Sequence, residues 1–85
     1  MCNSVNAEHE LHECHEFGLR LKEAREAAGL TGYRLAKMMD VQAASVHHWE
    51  HGRSYPRIDK LILISELLKV SIDWLLLGEK ANGAE

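Results

Sequence analysis

Leu30-Thr-Gly-Tyr-Arg-Leu-Ala-Lys-Met-Met-Asp-Val-Gln-Ala-Ala-Ser-Val-His-His-Trp-Glu50 decides the fold of this chain. Thr31 is placed as an N-cap, and Leu35, Ala36 and Met39 follow at helical spacing, so one stripe faces inward while Arg34 and Lys37 face water. Asp40 and Val41 make a corner. A second short helix then carries Val46 and Trp49 three apart on its inner side and leaves Ala43, Ala44, His47, His48 and His51 outside. Gly52 stops it.

Two short amphipathic helices joined by so tight a turn form a helix-turn-helix. In such a pair the second helix lies in the major groove of DNA and the first crosses the backbone. A helical hairpin that serves packing alone shows the same periodicity, so the rest of the chain has to arbitrate.

Working outward, Phe17, Leu21 and Ala24 recur at helical spacing ahead of Gly29, which predicts a helix over about 17–28. After Gly52 a loop, Arg53-Ser54-Tyr55-Pro56, holds the only proline. A helix over about 57–68 follows, with Ile58, Leu61, Ile62, Ser65 and Leu68 read as its inner stripe. Leu63, Ile64 and Leu67 add more apolar surface than one packing face needs. Ser71 caps a last short helix that ends at Gly78, with Asp73 in its first turn. The expected fold is all-α, with five helices and no hairpin signal to compete.

Composition sets limits on function. The 85 residues, 46% of them apolar, suffice for one small domain. We divide the chain into an acidic leader over 1–16, expected to be disordered, a folded domain over 17–78 and a flexible tail over 79–85. No run of about 18 apolar residues occurs and the N-terminus lacks the pattern of a signal peptide, so a cytoplasmic protein without a membrane span is expected. Cys2 and Cys14 both lie in the leader and are expected to stay reduced, since a disulfide there would staple nothing in the core.

The net charge of −3, taken alone, argues against a polyanionic partner, but its distribution matters more than its sum. Glu8, Glu10, Glu13 and Glu16 stand in the leader without any Lys or Arg, whereas residues 17–78 carry nine Lys and Arg against seven Asp and Glu. The part expected to fold is therefore weakly basic. It would need a focused basic face, and two copies, to hold DNA at physiological salt.

Gly29-Leu30-Thr31, Leu35-Ala36, Val41, Val46, Trp49-Glu50, Gly52 and Pro56, followed by Val70-Ser71-Ile72-Asp73-Trp74-Leu75-Leu76, occur in order and at spacings that resemble the Cro/cI-type (Xre) helix-turn-helix family over about residues 17–78. The resemblance implies a compact five-helix, lambda-repressor-like domain. It further implies a homodimer on a palindromic operator that represses or activates nearby genes.

By the same resemblance, the base-reading positions fall on Gln42, Ala43, Ala44, Ser45 and His48. Gln42 can pair bidentately with adenine and His48 can donate to guanine, while Ala43 and Ala44 offer only methyl contacts, for example to thymine. Gly32 stands where the family usually has a phosphate-clamping Gln, so backbone N–H groups at the helix start must serve instead. Further phosphate candidates are Arg34, Lys37, Arg53, Ser54, Tyr55 and Arg57. Arg25 and Glu50 match the family's internal ion pair, a structural role. Leu63, Leu67, Trp74 and Leu77 are the dimer candidates, and half-sites one turn apart, about 34 Å, would follow from a two-fold pair.

His9, His12 and Cys14 or His15 stand close enough in sequence to share a zinc, nickel or copper ion, the alternative being a metal-sensing regulator, but their spacing repeats no recognised ligand pattern, and no metal or cofactor is expected. No phosphate loop, nucleophile elbow or paired-carboxylate constellation is present, which argues against an enzyme. The alternatives to a DNA-binding regulator are a protein-interaction module that kept the fold and lost DNA binding, favoured by Gly32, Ala43, Ala44 and the negative net charge, and an antitoxin-type regulator.

Overall fold

A computed structural model describes residues 4–78, with side chains from Cys14 onward. Its five helices are α1 (Ser4–Ala27), α2 (Gly32–Met39), α3 (Ala43–Glu50), α4 (Ile58–Leu68) and α5 (Ile72–Leu77). α2 and α3 pack on each other, and α1 lies across α3 and α5.

Buried residues from every helix meet in one core: Phe17, Leu21 and Ala24 of α1, Leu35, Ala36 and Met39 of α2, Val46 and Trp49 of α3, Leu61, Ile64 and Leu68 of α4, and Leu75 of α5. Small residues let the helices approach. A Cβ at Gly18, in the middle of α1, would lie 2.5 Å from the Glu50 carbonyl oxygen and 2.6 Å from that of Trp49. Only glycine lets α1 sit this close to the end of α3.

Four helix ends close in the same way. The N–H groups of Leu30, Val41, Arg53 and Val70 donate to the carbonyls of Arg25, Ala36, His48 and Ser65, respectively. In each case the preceding residue, Gly29, Asp40, Gly52 or Lys69, has positive φ. This is the Schellman closure, which satisfies carbonyls that a helix end would otherwise strand. Thr31 and Ser71 act as the expected N-caps, accepting from the backbone N–H of Arg34 and Trp74.

Two expectations are corrected. α1 begins at Ser4 rather than near residue 17, because no glycine or proline interrupts the stretch between them and its Glu, Ala and Leu favour helix. Cys14, assigned to the leader, is only 5% exposed. The inner stripe of α4 is Leu61, Ile64 and Leu68, while Ile58 and Ile62 are 68% and 44% exposed. With seven of its eleven residues apolar and spread over more than one face, α4 does not announce its phase. Ser65, half-buried at the edge of that stripe, donates its hydroxyl proton to the Val70 carbonyl at 2.6 Å.

His9, His12 and Cys2 fall outside the residues whose side chains are described, as does the segment 79–85. Cys14 is a free thiol. Among the described residues no helix is long and apolar enough to cross a membrane.

Candidate nucleic-acid interface

The corner between α2 and α3 sets the geometry of the exposed face. Asp40 adopts φ 59° and ψ 45°, which ends α2 abruptly and turns the chain in two residues toward Gln42, the N-cap of α3. Short polar Asp tolerates this left-handed conformation better than most non-glycine residues. Lys60 of α4 steadies the corner by donating to the Met39 carbonyl at 3.2 Å.

Gln42 makes no side-chain capping bond at the start of α3, so its amide projects unspent from an exposed position. Ala43, Ala44 and His48 are exposed beside it, and Ser45 is half-buried. Val46 and Trp49 anchor the opposite side of the same helix in the core. Those anchors fix which residues α3 presents.

At the start of α2, the Thr31 hydroxyl takes the Arg34 N–H, while Leu35 N–H bonds the Thr31 carbonyl. The N–H groups of Gly32 and Tyr33 belong to the first turn, where a helix supplies no internal acceptor, and they are suited to an anion. A Cβ at Gly32 would meet nothing closer than the Val46 Cγ1 at 3.9 Å, so glycine here is not enforced by packing. Arg34 and Lys37 are exposed on the next turns, with the Lys37 ammonium 5.5 Å from the centre of the Tyr33 ring. Thr31, Tyr33, Arg34, Lys37 and Met38 line a shallow groove.

Tyr33 is 65% exposed and was not among the residues singled out by sequence. An aromatic residue beside Arg34, off the apolar stripe, was the available signal.

The loop after α3 adds Arg53, Ser54, Tyr55 and Arg57, all exposed. They are not equivalent. Tyr55 rests its ring against buried Phe17 at 5.3 Å between centroids, so it has a packing role as well as an exposed edge. Arg57 lies 3.5 Å from Asp59, an open pair in which the Arg57 side chain stays 85% exposed. Gly52 holds the loop near α1, where a Cβ would come 2.8 Å from the His15 Cα.

Behind this face, Arg25 donates from Nε to Glu50 Oε2 at 2.6 Å and from Nη2 to Oε1 at 3.1 Å, and its Nη1 donates to the Leu30 carbonyl at 2.7 Å. The hydrogen bond to Glu50 raises the guanidinium pKa above its ordinary value, against the opposing effect of partial burial. One side chain thereby ties α1 to the end of α3 and to the entry of α2. Arg20 does similar work at the far end, donating to the carbonyls of Leu75 and Leu76 in α5, a role that no local sequence pattern marks.

Of the dimer candidates, Leu63, Leu67 and Trp74 are half-buried against the core, and only Leu77, 57% exposed, stands mainly in solvent.

A profile of the helix-turn-helix family matches residues 21–75. The chain belongs to the Cro/cI-type helix-turn-helix family. Among similar family members, it is 37% identical over 65 residues to the HTH-type transcriptional activator BcrR of Enterococcus faecalis, an overlap of 76% of this chain and 32% of that protein. It is 33% identical over 63 residues to the HTH-type transcriptional regulator DicA of Escherichia coli K12, covering 74% of this chain and 47% of the relative. The chain thus spans about a third to a half of the length of these two relatives.

A solved structure of the same fold is that of the P22 c2 repressor in complex with a synthetic operator. It superposes with a TM-score of 0.70 at 29% identity, covering 73% of this chain and 94% of the repressor chain. The five-helix, lambda-repressor-like architecture expected from sequence is the one observed.

Proposed function

We propose that this chain is a cytoplasmic, sequence-specific DNA-binding regulator of transcription, most simply a repressor, which binds a palindromic operator as a dimer. The observation that carries the reading is the unspent, exposed start of α3: Gln42, Ala43, Ala44 and His48 project from a helix locked to the core by Val46 and Trp49. The likeness to a repressor solved on its operator supports it.

In this reading Gln42 pairs with adenine, His48 donates to guanine, and Ala43 and Ala44 meet thymine methyls, with Ser45 at the edge of the contact. Phosphates on one flank take the N–H groups of Gly32 and Tyr33 and the charges of Arg34 and Lys37. Those on the other flank take Arg53, Ser54, Tyr55 and Arg57. Arg25 and Glu50 touch no DNA and hold α3 at its angle. Leu77, with the exposed edge of Trp74, supplies the two-fold contact, supported by Leu63 and Leu67.

The test is selection from a pool of randomised duplexes at about 50 and 200 mM salt, with sequencing of the bound fraction. Enriched half-sites in inverted repeat, about one helical turn apart, are expected. Absence of any enrichment would transfer the reading to a protein-interaction module.

A further inference from the structure

Three imidazoles crowd the outer side of α3 and its C-cap, more than base reading uses. His47 and His51 stand one turn apart on one face, with ring centroids 3.9 Å apart and planes inclined by 32°. The His48 ring lies farther off, 6.1 Å from that of His47 and inclined by 60°. His51 Nδ1 lies 2.9 Å from the His47 carbonyl oxygen. A carbonyl oxygen can only accept, so Nδ1 carries the proton, and in the neutral ring the lone pair sits on Nε2.

We propose that His47 and His51 form a two-imidazole site for a borderline divalent transition-metal ion such as Zn2+, Ni2+ or Cu2+. A four-residue interval is the spacing at which one helix offers two imidazoles to one ion. Metal–nitrogen bonds of about 2.0–2.1 Å require the two ligating nitrogens about 3 Å apart with both lone pairs converging on the ion, so the two exposed rings, stacked 3.9 Å apart between centroids, have to turn and part on binding. The bond from His51 Nδ1 to a backbone carbonyl is the kind that orients a ligating histidine and selects the free nitrogen. Both residues are exposed, so water completes the coordination sphere.

Glu50 lies between them in sequence but does not take part, because both of its carboxylate oxygens are held by Arg25. The site therefore binds without the free carboxylate base that a hydrolytic zinc helix places beside its histidines. Lys22 and Arg25 line the same groove as His47 and His51, and the Arg25 charge is matched by Glu50. Among the described residues no cluster of three or more His, Cys, Asp or Glu forms, so this is a two-ligand site of modest affinity. Cu2+ is expected to bind most tightly.

The test titrates Zn2+ into the full chain while the histidine ring resonances are followed by NMR. A background carrying His9→Gln, His12→Gln, His15→Gln and Cys2→Ser removes competing ligands nearer the N-terminus. The His47 and His51 signals are expected to shift together along one saturation curve, with a smaller change at His48. His47→Gln and His51→Gln should each weaken binding by more than about ten-fold, at least what loss of an outer-shell partner costs. Should His51→Gln also disturb the end of α3, seen in its amide spectrum, His47→Gln alone decides. Unmoved His47 and His51 resonances, or an affinity unchanged by His47→Gln, would overturn the assignment. No DNA enters the experiment, so its failure leaves the regulator reading intact.

Discussion

Arg25 and Glu50 are 25 residues apart in sequence, yet their side chains meet in a two-pronged hydrogen bond of 2.6 and 3.1 Å, with only 11% and 7% of the side chains exposed. The pair fixes the angle between α1 and α3 and thereby the angle at which α3 meets anything outside. Removing one partner strands the other in a half-buried place, and Arg25→Ala in addition leaves the Leu30 carbonyl without its donor. Urea unfolding should show a loss of about 3–5 kcal/mol for Arg25→Ala. Arg25→Lys should recover only part of it, because an ammonium cannot reproduce the fork.

Gly18 gives a prediction whose sign separates propensity from packing. In a helix interior, alanine is favoured over glycine by about 1 kcal/mol, so local preference alone says that Gly18→Ala stabilises. The two carbonyl oxygens within 2.6 Å of the added Cβ say otherwise, since backbone must move to admit it. A net destabilisation of about 1–3 kcal/mol is expected, measured by thermal or urea unfolding.

Burial pushes the Cys14 thiol pKa up from its ordinary value. Its protonated form is therefore favoured by folding, and that contribution is present in full below the unfolded thiol's pKa of about 8.5 and is lost as pH rises through the folded one. The stability advantage of the wild-type chain over Cys14→Ala should narrow as pH is raised from about 8 to 10. Iodoacetamide at neutral pH should modify Cys14 only as fast as the protein opens.

Much of this was legible in the sequence because it is local. Thr31 and Ser71 as caps, Gly29 and Gly52 as stops, and the inward pairs Leu35/Met39 and Val46/Trp49 all follow from rules that act within a turn or two. What escaped depends on partners distant in the chain. Gly18 looks like a weak helix residue until α3 is laid across it, and Arg20 looks like a solvated charge until the end of α5 arrives to receive it. The phase of α4 is not legible in the sequence because its apolar residues, seven of eleven, fall on more than one face. On the candidate face, the structure shows which residues are exposed and how the backbone turns, while base reading by Gln42 and His48 is part of the proposed function.

Gln42 is free of capping duty, so Gln42→Ala should leave stability nearly unchanged while costing about 1–3 kcal/mol of discrimination at one base position of the selected duplex. Arg53→Gln should instead weaken binding to all sequences alike and lower the salt slope by about one. Anisotropy titrations at several salt concentrations separate the two signatures.

Whether the α2–α3 corner and the loop after α3 form the DNA-binding face is decided by titrating the 15N-labelled chain with a short duplex at about 50 mM salt, where sequence-independent binding suffices. Amide shifts are expected to gather on Gly32, Tyr33, Gln42 to Ser45, His48 and Arg53 to Arg57, with Arg25 and Glu50 perturbed little. Shifts gathered instead on the outer faces of α4 and α5, or no shifts at saturating duplex, would contradict this placement of the face.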